Sequence, residues 1–201
     1  MEPLQQPALD IKSLAAYCFE TLLHKLTPPI DGVVKPAYPS GQPDPEYPLF
    51  VTWTKRGDLR GCIGTFESKR LSHALPKYTL ISALQDDRFE PMELAEVPDL
   101  TVGLSLLVNF TPIDDPLKWQ VGKHGIEIEF RHGARQYSGT FLPEVAEEEG
   151  WDQRTTLEYL VRKAGWRNGF EAVRTTMTVR TYESLKYKMS FEEFMATKKQ
   201  A

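Results

Sequence analysis

The chain has 201 residues and a formal net charge of −4, with 41% hydrophobic and 26% charged residues. That is length and apolar content enough for one domain, or a domain with a small lobe, and it excludes wholesale disorder. A mildly acidic chain lacks the broad basic footprint of a duplex nucleic-acid binder, and its apolar runs are far too short to span a bilayer, so neither extended duplex binding nor a membrane location is expected.

Residues 1–9, with Pro3 and Pro7, read as a flexible tail without the basic n-region and apolar core of a secretory leader. Asp10 is placed as an N-cap, and Ile11, Leu14, Ala15, Cys18, Leu22 and Leu26 follow at helical spacing until Pro28 and Pro29. Cys18 sits on that apolar stripe and is expected to be a small buried hydrophobe. Between Thr27 and Pro48 come seven prolines with no repeat, so a long irregular connection is predicted. Residues 49–54 and 59–66 then read as two strands of a hairpin around Lys55-Arg56-Gly57-Asp58.

Leu71 to Leu84 carries a helical stripe, and Pro76 inside it predicts a late start or a kink. Residues 101–108 form a buried strand, while 125–130 alternate cleanly and pair with 135–142 across His132-Gly133-Ala134. Glu144 and Glu147 to Glu149 form an acidic patch ahead of a helix that opens with a Thr155/Glu158 capping box and stops at Gly165. A last strand at 176–187 precedes a short helix near Phe191 to Phe194. Strands joined mainly as hairpins with interspersed helices predict an α+β fold on an antiparallel sheet.

The stretch Leu59-Arg60-Gly61-Cys62-Ile63-Gly64-Thr65-Phe66 carries the most chemistry. Glycine weakens a strand and marks bending or close approach, and an arginine beside a thiol favours the thiolate, which is the nucleophilic form. Cys62 is therefore a candidate nucleophile; a buried strand cysteine with glycines relieving crowding is the plainer reading of the same residues. His124, bracketed by Gly122 and Gly125, is the best candidate proton carrier; His73 and His132 are weaker, and His24 lies at a helix end. Asp86-Asp87-Arg88 offers two carboxylates and a guanidinium, most simply a salt-bridged helix terminus.

With only Cys18 and Cys62 there is no disulfide framework, so a reducing compartment is expected: the cytoplasm, with the nucleus as a second location. No GxxxxGK[ST], GxGxxG, HExxH, CxxC or GxSxG pattern occurs, and the histidines and cysteines lack metal-ligand spacing. Neither a metal nor a cofactor is expected.

Leu59-Arg60-Gly61-Cys62-Ile63-Gly64, then Asp87-Arg88-Phe89 and Lys123-His124-Gly125-Ile126, resemble the AMMECR-one domain family. Leu142-Pro143-Glu144-Val145-Ala146 with Gly150-Trp151-Asp152, followed by Arg162-Lys163-Ala164-Gly165, extends the resemblance from about Asp10 to Tyr187. It implies an α+β fold with a larger lobe, on an antiparallel sheet flanked by helices, and a smaller lobe. It also implies a single domain over residues 10–188, with a terminal helix and tail over 189–201. Glu90 departs from the pattern, standing where a small or apolar residue is expected.

The family's prokaryotic company of Memo-type and radical-SAM proteins hints at an enzymatic pathway and at a Memo-type partner. Arg60, Gly61, Cys62, Gly64, His124 and Lys163 match signature positions. The expectation is an enzyme whose cleft, lined by Cys62, Arg60 and His124, takes a nucleotide, modified base or small metabolite. Gly61, Gly64, Asp87, Arg88 and Lys163 are its expected binding residues. The alternative is a non-catalytic module that binds a protein or nucleic acid.

Overall fold

The computed structural model describes residues 9–28 and 35–199. The predicted tail at 1–8, residues 29–34 of the proline-rich connection and the last two residues lie outside them. Two compact units form, one from residues 1–106 with 186–201 and the other from 107–185.

The first unit opens with α1 (Ile11–Leu26), where the Asp10 carboxylate accepts the Lys12 and Ser13 amides at 3.0 and 3.2 Å, as an N-cap should. Cys18 is fully buried on its apolar face, and burial pushes the thiol up to about 12. The hairpin β1 (Glu46–Lys55) and β2 (Asp58–Arg70) turns at Arg56 and Gly57, whose φ angles are 53° and 97°. Both lie in the left-handed region that a two-residue hairpin loop needs.

Helix α2 (Leu71–Leu84) begins five residues before Pro76, so the late start does not occur. Its first turn is capped from outside: Asp44 accepts both the amide and the hydroxyl of Ser72 at 2.8 Å. Pro45 accepts the Leu71 amide at 3.1 Å. A 3-10 turn at Leu94–Asp99, which no periodicity announced, leads into β3 (Leu100–Ile113).

The second unit contains β4 (Gly125–His132), β5 (Arg135–Phe141), α3 (Pro143–Glu148) and α4 (Gln153–Lys163). β6 (Thr178–Ser190) follows and, like β3, passes from one unit into the other; α5 (Phe191–Lys198) belongs to the first. The acidic patch expected ahead of a helix is itself helical, because Pro143 starts a turn with Glu144 at its positive end. α4 is capped not by Thr155 but by Asp152, which accepts the Thr155 amide at 2.7 Å. Glu158 instead accepts the Phe170 amide at 3.1 Å. Gly165, at φ 96°, ends the helix as expected.

The strands are hydrogen-bonded in the order β2-β1-β3-β6-β4-β5, giving an α+β fold on an antiparallel sheet. In the first unit Trp53 of β1 is fully buried and meets Phe19 of α1 edge-on at 5.2 Å. In the second, Ile126, Ile128 and Phe130 of β4 pack with Leu157, Leu160 and Val161 of α4. Among the described residues no helix is long and apolar enough to cross a membrane.

Candidate functional site

Cys62 lies opposite Thr52 of β1, and Thr52 in turn lies opposite Gly103 of β3. Because strand residues alternate between faces, this row points away from the face carrying Trp53. The helices of the unit pack on the Trp53 side, where the Trp53 indole donates to the Thr79 carbonyl of α2 at 3.3 Å. Thr52, Cys62 and Gly103 are all half-buried, and the Cys62 sulfur is 3.1 Å from the Thr52 hydroxyl. The Gly103 backbone leaves this surface low: an added Cβ would meet nothing closer than Thr52 Cβ at 3.6 Å, the Thr52 carbonyl oxygen at 3.7 Å and Lys188 Cγ at 3.9 Å.

The motif glycines have packing reasons. A Cβ on Gly61 would stand 2.0 Å from the Ser82 carbonyl oxygen of α2, so only glycine lets helix and strand approach this closely. On Gly64 it would fall 2.2 Å from the Leu49 carbonyl oxygen and 2.4 Å from the Phe50 ring.

Arg60 is the extra residue of a β-bulge, since Trp53 pairs with Gly61 while Thr54 pairs with Leu59. Bulges re-aim side chains, and this one sends the guanidinium to Glu96 in the 3-10 turn, with Nε and Nη2 bonded at 3.1 and 3.0 Å. Lys55 joins at 2.9 Å, and the Glu93 amide donates to the same carboxylate at 3.0 Å. These donors, Arg60 first, hold the Glu96 carboxyl down to about 2 despite its partial burial. Arg60 Nη1 is buried with no hydrogen-bond partner among the described residues.

The backbone of Cys62 is gripped by side chains. Its N–H donates to Asp86 Oδ2 at 2.8 Å, and its carbonyl accepts from Arg88 Nη2 at 3.1 Å. Arg88 is also bidentate to Asp86, at 2.8 and 2.7 Å, and lies over the Phe89 ring at 5.5 Å. The Asp86 carboxylate is 2% exposed and held far below the usual carboxylate range, first by Arg88 and then by the Cys62 amide. Arg88 also feels the Cys62 thiol electrostatically. Asp87 is exposed and reaches Arg88 through charge alone.

Sequence reasoning read Asp86 as part of a salt-bridged helix terminus, which its pair with Arg88 bears out, and missed its hold on the Cys62 backbone. A carboxylate just past a helix C-terminus opposes the helix dipole, which is the one signal that it had a stronger partner elsewhere.

His124 and Lys163 belong to the second unit. The Gln120 amide donates to His124 Nδ1 at 3.1 Å, so the proton of the neutral ring sits on Nε2, which faces Glu183 at 3.8 Å. Glu183 also takes Lys123 at 3.1 Å and the Asn109 amide at 2.9 Å. Lys163 donates to the Thr140 carbonyl at 2.8 Å and lies over the Phe141 ring at 4.6 Å, with desolvation lowering its pKa. No cluster of three His, Cys, Asp or Glu able to hold a metal occurs among the described residues.

The family model for AMMECR1 matches residues 15–187. This chain belongs to the AMMECR1 family. It is 46% identical over 167 residues to an uncharacterized protein of Kluyveromyces lactis, covering 73% of this chain and 74% of the relative. An uncharacterized protein of Arabidopsis thaliana is 40% identical over 198 residues, covering 92% and 87%. Among solved structures, an uncharacterized protein of Pyrococcus horikoshii matches with a TM-score of 0.61 and 26% identity, over 87% of this chain and 89% of that one. The glycine-flanked stretch around Cys62 therefore sits on the β1–β2 hairpin of the first unit, pinned by Asp86, Arg88 and Glu96.

Proposed function

We propose that this AMMECR1-family protein is a binding module whose contact surface is the sheet face bearing Thr52, Cys62 and Gly103. One observation carries this reading. The other polar groups of the motif are spent inside the protein, Arg60 on Glu96 and the Cys62 backbone on Asp86 and Arg88, while among the described residues the Cys62 sulfur has only a hydroxyl partner. A thiol fixed that firmly beside Thr52 and a glycine floor suits a small polar ligand that hydrogen-bonds to the row. The exposed Lys188 stem beside Gly103 favours an anionic group on that ligand.

Catalysis is the second reading, favoured by the half-exposed sulfur and by Arg88 within electrostatic reach of it. In that reading Cys62 is the nucleophile, Arg60 a stabiliser of negative charge and His124 the proton carrier. Two observations weigh against it: the Arg60 guanidinium is bidentate to Glu96, and both His124 ring nitrogens have neighbours, an amide and a carboxylate.

Iodoacetamide alkylation of Cys62 across the pH range separates the two. A rate that rises through about pH 8.5, as for an ordinary thiol, supports the binding module. A plateau already reached below about pH 7 overturns it in favour of an activated nucleophile.

A further inference from the structure

A groove between α1 and α2 in the first unit encloses about 410 Å³, well within the size range of small-molecule sites. Five side chains able to carry positive charge line it: His24 and Lys25 from α1, Lys35, and His73 and Lys77 from α2. Among the described residues no carboxylate lines it, although the chain as a whole carries −4. Its apolar floor comes from Tyr17, Pro36, Pro76 and Leu80.

Several cations elsewhere in the same unit are paired. Lys12 reaches Glu193 at 3.2 Å, Lys55 reaches Glu96 at 2.9 Å, and Lys69 reaches Glu67 at 2.7 Å. Lys25, Lys35 and Lys77 have no carboxylate within ion-pair distance among the described residues, and Lys77 lies only against the Tyr78 ring, at 5.6 Å. His73 lies near Asp44, but that carboxylate is already bonded to Ser72 through both oxygens. The α1 C-terminus accounts for His24 and Lys25, where cations offset the helix dipole. It does not account for Lys77 in the body of α2 or for Lys35 outside any helix. Like charges gathered around one concavity repel one another, and a bound anion removes that repulsion.

We propose that this groove binds a small organic phosphate of mononucleotide size. The lysine ammonium groups meet the phosphate dianion as point charges, and Pro36, Pro76 and Leu80 take the organic part. The site is separate from the Cys62 row and stands without the reading given above.

The four histidines of the chain supply the test, because two line the groove and two, His124 and His132, belong to the other unit. The full chain is titrated with AMP while the histidine ring resonances are followed by NMR. Saturable shifts of His24 and His73, with His124 and His132 unmoved, are expected below about 10 mM. Lys25→Gln with Lys77→Gln should weaken the binding about tenfold or more with the melting temperature kept; Lys77→Gln alone serves if the double variant does not fold. Inorganic phosphate should bind about fivefold more weakly than AMP. Three results each overturn the proposal: no shift of His24 and His73 at that concentration, shifts unaffected by the lysine variants, or equal affinity for AMP and inorganic phosphate.

Discussion

The Asp86 carboxylate accepts the Cys62 amide at 2.8 Å across 24 residues of sequence. With Arg88 on the Cys62 carbonyl at 3.1 Å, it fixes the strand that carries Cys62 from the segment after α2. Asp86→Ala leaves a part-buried amide without its acceptor and frees Arg88, and should cost about 2–4 kcal/mol in urea unfolding. Arg88→Ala, at a side chain half exposed to water, should cost about 1 kcal/mol.

Acid should destabilise the first unit through two carboxyls. Glu96 is held at about 2, and Asp86 also lies below its ordinary value. A depressed folded-state pKa contributes stability that is fully present above the unfolded values, near 4, and is lost as pH falls through the folded values. Thermal melts should therefore drop steeply between about pH 4 and pH 2. Glu96→Gln should flatten that slope while lowering stability at neutral pH by about 2–3 kcal/mol, since Arg60 is then left buried against a neutral amide.

The two cysteines should differ completely in reactivity. Cys18 is fully buried, with its thiol pushed up to about 12, whereas Cys62 is half-exposed. DTNB should titrate one thiol in the native protein and both in denaturant, and Cys62→Ala should remove the native signal.

Two glycines on the strands that flank β1 should respond in opposite ways to the same change. Gly61→Ala places a Cβ 2.0 Å from the Ser82 carbonyl oxygen, so α2 must move off the sheet, at a cost of about 3 kcal/mol or more. Gly103→Ala meets nothing closer than 3.6 Å and should stay within about 1 kcal/mol of the parent protein by the same unfolding assay.

Much of the fold was legible from periodicity and capping chemistry. Asp10, the Arg56-Gly57 turn, the alternation of β4 and the Gly165 stop act locally, through neighbours a few residues away. What escaped acts at long range. Asp44 caps α2 from 28 residues upstream, and Glu96 draws in Arg60 across 36 residues. The sequence shows Arg60 two residues from Cys62 and suggests a thiol partner; the bulge that turns it toward Glu96 depends on the register of β1 and β2, which no spacing encodes. The α4 cap slipped from Thr155 to Asp152 because both residues can cap, and the Glu158 that completed the expected box serves Phe170 instead. The grip of Asp86 on Cys62 was invisible for the same reason of distance.

β2 is the outermost strand on its side of the sheet, so the Cys62 peptide would otherwise offer a donor and an acceptor to any incoming chain. A carboxylate and a guanidinium occupy both positions, imitating the peptide groups of a further strand. Stripped of this pair, the domain would present a template for self-association, and its first symptom would be oligomers rather than unfolding.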